Sequence, residues 1–178
     1  QMNLAWQQYV QDYDETSCLY GYRIPPGSGV YHYFISAVPG QSVRPGFLDP
    51  YLKNANVTLC PSRRDQTLRH FGINQTHISG QFAGAALASI DYPSETLLFA
   101  ENQNQLAGCP CTQNAGYTPG ITPPHNGGLN IGYVDGHAKW MTLDGNEGTG
   151  AYAGLRGLKG YWYDPHGEIG GVAAGHQP

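Results

Sequence analysis

Charge is scarce in this chain of 178 residues. Charged side chains make up 12% of it, and nine Lys and Arg against thirteen Asp and Glu leave a formal net charge of −4. No basic run exists, which argues against nucleic acid or an anionic membrane surface as the main partner. Long apolar runs are lacking too. None approaches the roughly 18–20 residues that span a bilayer, and none has the make-up of a signal-peptide core. The chain as it stands is therefore expected to be soluble, with no membrane span. Signatures of the commoner enzyme chemistries are missing: there is no G-x-S-x-G elbow, no phosphate-binding glycine loop with G-K-[ST] and no H-E-x-x-H. The seven histidines are scattered, so no enzyme activity is expected. Four cysteines are present, but not as the two C-x-x-C pairs of a zinc site.

What the chain does have is Gly (25), Pro (13) and Tyr (13), a mix that suits short strands and long loops better than a helical bundle. Its length fits one domain, 1–178, with a core of its own. Met2, Trp6, Tyr9, Val10 and Tyr13 recur at three- and four-residue steps, which predicts an amphipathic helix over the first 14 residues. Val30 to Ala37 reads as a strand, 47–54 as a helical turn, and the region around Val57 to Cys60 as a strand. Ala85 to Ile90 reads as a short helix, Thr96 to Ala100 as a strand, and 101–124 as an ordered irregular loop. Residues 144–178 form a Gly- and aromatic-rich extension. The expected class is α+β: an N-terminal amphipathic helix packed on a small, mostly antiparallel sheet with long Gly/Pro-rich loops.

The most informative stretch runs from His125 to Trp140. His125 is followed by nine residues and then Asp135-Gly136, with alternating apolar residues on both sides. Asp-Gly between two such runs is a hairpin signal, because a two-residue I′ turn needs φ > 0 at both central positions. With that turn, Tyr133 is expected opposite Ala138 and Ile131 opposite Trp140. Leu129, Ile131, Tyr133, Ala138 and Trp140 would then share the buried face, with Lys139 on the other.

The His-(nine residues)-Asp-Gly stretch resembles the C-terminal signature of a bacterial group of prepilin-type, type IV pilin-like proteins related to the type II secretion pseudopilins. Three further segments resemble the same group in the same order: 3–15 the globular end of its long N-terminal helix, 50–54 with 59–62 its middle segment, and 91–101 the strand leading into its sheet. The resemblance implies a pilin-like fold. It also implies a hydrophobic half-helix and processed leader ahead of Gln1, segments this sequence does not contain. The function it implies is a structural subunit of an extracellular filament or pseudopilus, with copies of itself as partners. Met2, Trp6 and Tyr9 on the helix, or Ile169 and Val172 in the tail, are the candidate assembly contacts. The alternative is a monomeric cell-surface module that recognises glycan or a secreted substrate through its clustered aromatics (Tyr20 to Phe34 and Tyr152 to Tyr163).

Several residues have a chemical reading beside a structural one. Glu101, His125 and Asp135, with His137, offer oxygen and nitrogen ligands for a divalent cation. Structurally, Asp135 suits the turn backbone, and His125 suits a backbone hydrogen bond at the strand start. Asp144 opens an oxygen-rich turn, Asp144-Gly145-Asn146-Glu147. The pilin-like resemblance makes Ca²⁺ a candidate there, although no EF-hand spacing is present and no cofactor is required. An exported chain would oxidise its cysteines. Bridging Cys109 to Cys111 around Pro110 would strain the ring, so Cys18 and Cys60 are each expected to pair with one of those two. Asn56 and Asn74 head glycosylation sequons, and covalent glycans are possible partners.

Overall fold

The computed structural model describes residues 1–19, 21–23, 31–33, 46–62, 70–74, 78–79, 83–101, 106–107, 125–126 and 128–142. One α-helix, α1 (Met2–Asp12), opens the chain. It buries Met2, Ala5, Trp6, Tyr9 and Val10, the stripe expected of an amphipathic helix on a sheet. Tyr13 departs from that expectation. The helix stops at Asp12, and Asp14 and Glu15 follow with φ of +51° and +54°. These left-handed conformations turn the chain away, so Tyr13 is 54% exposed, although its ring stacks on Tyr9 at 4.3 Å.

The strands are β1 (Gly21–Arg23), β2 (Tyr31–Tyr33), β3 (Phe71–Asn74), β4 (Leu97–Glu101), β5 (Leu106–Ala107), β6 (Gly128–Tyr133) and β7 (Ala138–Thr142). β1 and β2 form an antiparallel ribbon of their own. The main sheet has the order β5-β3-β4-β6-β7 and is antiparallel throughout except where β5 joins β3 in parallel. The α+β expectation therefore holds: one N-terminal helix and a small, mostly antiparallel sheet. Among the described residues, no helix is long and apolar enough to cross a membrane.

Central strand β4 is buried along its whole length. Its pairing with β6 slips between Leu97 and Phe99, where Leu98 is an extra residue. Such a bulge breaks strict alternation. Leu98 and Phe99 accordingly join the core that α1 covers, with Trp6, Val10, Leu48, Ile73 and Val134. Leu97 and Ala100 join a second cluster with Leu129, Ile131, Tyr133 and Met141. Against the C-terminal half of α1 sits a 3₁₀ turn, Asp49–Tyr51, where Phe47 and Tyr51 meet the Tyr9 ring edge-on and the Tyr51 hydroxyl donates to Asp12 at 2.9 Å.

Three expectations change. The region around Val57 is a 3₁₀ turn, Ala55–Thr58, and not a strand, because the Asn54 side chain accepts from the Asn56 N–H and closes a local turn. The short helix expected at Ala85–Ile90 is a single 3₁₀ turn, Leu87–Ser89. Within 101–124, expected to be irregular throughout, β5 adds a two-residue strand. The tail 144–178 lies outside the described residues.

Candidate functional site

The hairpin β6–β7 forms in a register one residue away from the expected one. Gly132 lies opposite Ala138, Ile131 opposite Lys139 and Asn130 opposite Trp140. Only Gly136 has positive φ in the turn, at +101°. The Gly136 N–H donates to Tyr133 C=O at 3.0 Å, and the Tyr133 N–H donates to His137 C=O at 2.9 Å. That is a three-residue loop, Val134-Asp135-Gly136, with Gly136 taking the left-handed position of a bulge. The one-residue slip moves Trp140 off the face it was expected to share with Ile131. Trp140 is 47% exposed, whereas Leu129, Ile131, Tyr133 and Met141 are buried together.

The turn is gripped by the helix. The Asn3 side-chain amide donates to the carbonyls of Tyr133, Gly136 and His137 at 3.3, 3.1 and 2.9 Å. One turn further along α1, the Gln7 amide donates to the Asp135 carbonyl at 2.9 Å. Two glycines make room for this. A Cβ on Gly132 would collide with the Asn3 amide, and one on Gly136 would collide with Gln7. Asp135 itself is exposed; its carboxylate accepts from the His137 N–H at 3.1 Å and meets His137 Nδ1 at 2.6 Å. Stacked on that imidazole at 4.2 Å, the Tyr133 phenol is held above its ordinary pKa, first by burial and then by the Asp135 charge.

At the other end of β6 the histidine does different work. The backbone of His125 pairs with Gly128 in both directions, at 2.9 and 3.2 Å, so the structural role expected at the strand start is carried by the main chain. Its side chain reaches elsewhere. His125 Nε2 lies 3.0 Å from Glu101 Oε1 and 3.4 Å from Cys60 Sγ. Glu101 is buried at the end of β4, and its other oxygen accepts from the Asn130 N–H at 2.6 Å and the Asn130 amide at 3.1 Å. The Cys60 N–H donates to Nδ1 of the buried His70 at 2.6 Å, which fixes the cysteine backbone beside the sheet.

Of the four expected metal ligands, the structure brings Glu101 and His125 together. It leaves Asp135 at the opposite end of β6, occupied with His137, and Asp144 lies outside the described residues. Cys60 is the ligand-type residue that sequence reasoning assigned elsewhere. Cys60, Glu101 and His125 place one donor atom each within 4.8 Å of one another. Both partners of His125 sit on the same ring nitrogen. A nucleophile–base–acid relay would use opposite nitrogens, so this geometry is convergent and not a relay.

The other expected sites fall as follows. Cys18 and Cys60, expected in bridges, are free thiols and buried; Cys109 and Cys111 lie outside the described residues. Burial pushes the Cys18 thiol up to about 12, despite hydrogen bonds from Ser79 and Ser17. Asn56 is exposed. Asn74 is buried in β3 with its amide donating to Leu97 C=O at 3.0 Å, so it does not present a glycan acceptor. Met2, Trp6 and Tyr9 are consumed by the chain's own core, which removes them as assembly contacts. Ile169 and Val172 lie outside the described residues. Sequence reasoning also missed Asn3, Gln7 and Asn130. The first two carry a faint signal, as amides four residues apart beside the helix's apolar stripe. Comparison with family models, curated proteins and solved structures returns no match for this chain.

Proposed function

We propose that this chain is a pilin-like structural subunit of an extracellular filament or pseudopilus. The observation that supports the reading is the lock between the N-terminal helix and the Asp-Gly hairpin, made by Asn3 and Gln7 on the turn carbonyls. It turns the motif that carries the family resemblance into a brace between helix and sheet. Such a brace suits a subunit whose helix must transmit load into its globular part. Assembly contacts come from Leu4 on the outer face of α1 and Tyr13 just past its end, 57% and 54% exposed, rather than from the buried stripe. At the cell exterior, Asn56 is the exposed position for a glycan.

Immunogold electron microscopy of producing cells, with antibody raised against this domain, tests the reading. Gold along extracellular filaments is expected. A second reading, a monomeric binding module, draws on a cleft of about 380 Å³ between the start of α1 and the sheet, a volume within the range of small-ligand sites. Gold dispersed over the cell surface, with no labelled filament, would favour the module and overturn the filament subunit.

A further inference from the structure

We infer that Cys60, Glu101 and His125 form a binding site for a thiophilic divalent cation, with zinc as the chemical type. The inference is independent of the filament reading.

The geometry comes first. Zinc holds sulfur at about 2.3 Å and nitrogen or oxygen at about 2.0–2.2 Å, which sets tetrahedral donors roughly 3.3–3.6 Å apart. His125 Nε2 is 3.4 Å from Cys60 Sγ and 3.0 Å from Glu101 Oε1, close to those spacings, and all three donors lie within 4.8 Å of one another, so coordination requires Cys60 and Glu101 to draw together around the ion. Three protein ligands leave the fourth position for water or another donor, the pattern of an open zinc site. Calcium and magnesium take oxygen shells, and a thiol with an imidazole is a poor match for either. The calcium expectation drawn from sequence belongs to the Asp144 turn, which lies outside the described residues.

Charge and support agree with the geometry. Cys60 and Glu101 are 2% and 3% exposed. On binding, Cys60 gives its thiol proton to solvent, as does His125 Nε2 if it carries one. A thiolate and a carboxylate then neutralise the dication, so the occupied site carries no net charge. Each ligand is also held from behind. Asn130 fixes Glu101 through two hydrogen bonds to Oε2, leaving Oε1 turned to the site. His70 fixes the Cys60 backbone, and the two-way pairing with Gly128 fixes that of His125. Such supporting contacts are what orient the ligands of built metal sites. The site is reached from the His125 side, whose side chain is 27% exposed.

The test is titration of the reduced 178-residue chain with Co²⁺, followed by displacement with Zn²⁺. Expected are one ion per chain, a near-ultraviolet thiolate-to-cobalt charge-transfer band, visible bands of four-coordinate intensity, and bleaching by zinc. Cys60→Ser is expected to abolish the charge-transfer band. Asn130→Ala is expected to weaken binding by roughly 10- to 100-fold. Asp135→Asn, at the far end of β6, is expected to bind like the parent. The unaltered chain alone suffices to refute the proposal: no cobalt bound, or cobalt bound without a thiolate band, overturns it. So does mass spectrometry that finds Cys60 in a disulfide in the protein recovered from its native source.

Discussion

Replacing Asn3 separates a helix that merely rests on the sheet from one that is locked to the hairpin. Its amide has two hydrogens and faces three carbonyls at 2.9–3.3 Å, so at most two full hydrogen bonds are lost in Asn3→Ala. At about 0.5–1.5 kcal/mol each, the cost is about 1–3 kcal/mol. The upper half is expected because Asn3 is only 8% exposed and water reaches the freed carbonyls poorly. Asn3→Asp keeps the shape but exchanges the donor for a carboxylate aimed at three oxygens. It loses the same bonds and adds repulsion, a further cost on the order of 1–3 kcal/mol, equivalent to about one to two pH units of carboxyl shift. The sign follows from that shift. The introduced carboxyl has its folded pKa raised above the unfolded value of about 3.9, so the added penalty is absent below about pH 4 and grows as pH rises through the folded pKa. Urea denaturation read by tryptophan fluorescence checks all of this. The midpoint is expected to fall for Asn3→Ala at unchanged slope, to fall further for Asn3→Asp at pH 7, and to converge for the two near pH 4. An Asn3→Ala cost below about 0.5 kcal/mol, or an Asp variant no worse than Ala at pH 7, would refute the lock.

The observed register makes Ile131 and Trp140 unequal: Ile131→Ala is expected to cost about 2–5 kcal/mol and Trp140→Ala less than about 1 kcal/mol, where the two-residue turn would make both core substitutions. The Cys18 thiol, raised from 9.0 to about 12 by burial, stabilises the fold fully below pH 9, and that contribution is lost as pH rises towards 12. Stability between pH 9 and 10 should therefore slope downwards in the parent and less so in Cys18→Ala, and a thiol reagent near pH 8 should modify Cys18 only after unfolding.

Much of the fold could be read from local pattern. Trp6, Tyr9 and Val10 have helical spacing and one partner surface, and Leu97 to Ala100 is an apolar run that only a buried strand accommodates. The turn could be located but not typed, because Asp-Gly satisfies both a two-residue I′ loop and a three-residue loop with Gly136 in the left-handed position. What decides between them is tertiary: Asn3 and Gln7 collect the carbonyls that the longer loop presents. β3 was illegible because a four-residue strand, Phe71–Asn74, carries too few alternations to stand out. At the site, Glu101 and His125 were visible as ligand types. Cys60 was drawn towards disulfide pairing by the cysteine count, since nothing in its neighbourhood announces that 3₁₀ turn 55–58 and His70 deliver it to the end of β4. Asp135 was the opposite error, a carboxylate ten residues from the histidine that β6 carries to the far end of the strand.

The His-to-Asp-Gly stretch braces helix to sheet in the observed register. Nuclear Overhauser spectroscopy of the labelled chain tests it most directly. Cross-strand contacts placing Asn130 opposite Trp140 and Gly132 opposite Ala138 are expected. Slowly exchanging Asn3 side-chain amide protons close to Gly136 and His137 are expected with them. Contacts placing Ile131 opposite Trp140, with Asn3 amide protons in rapid exchange with water, would contradict it.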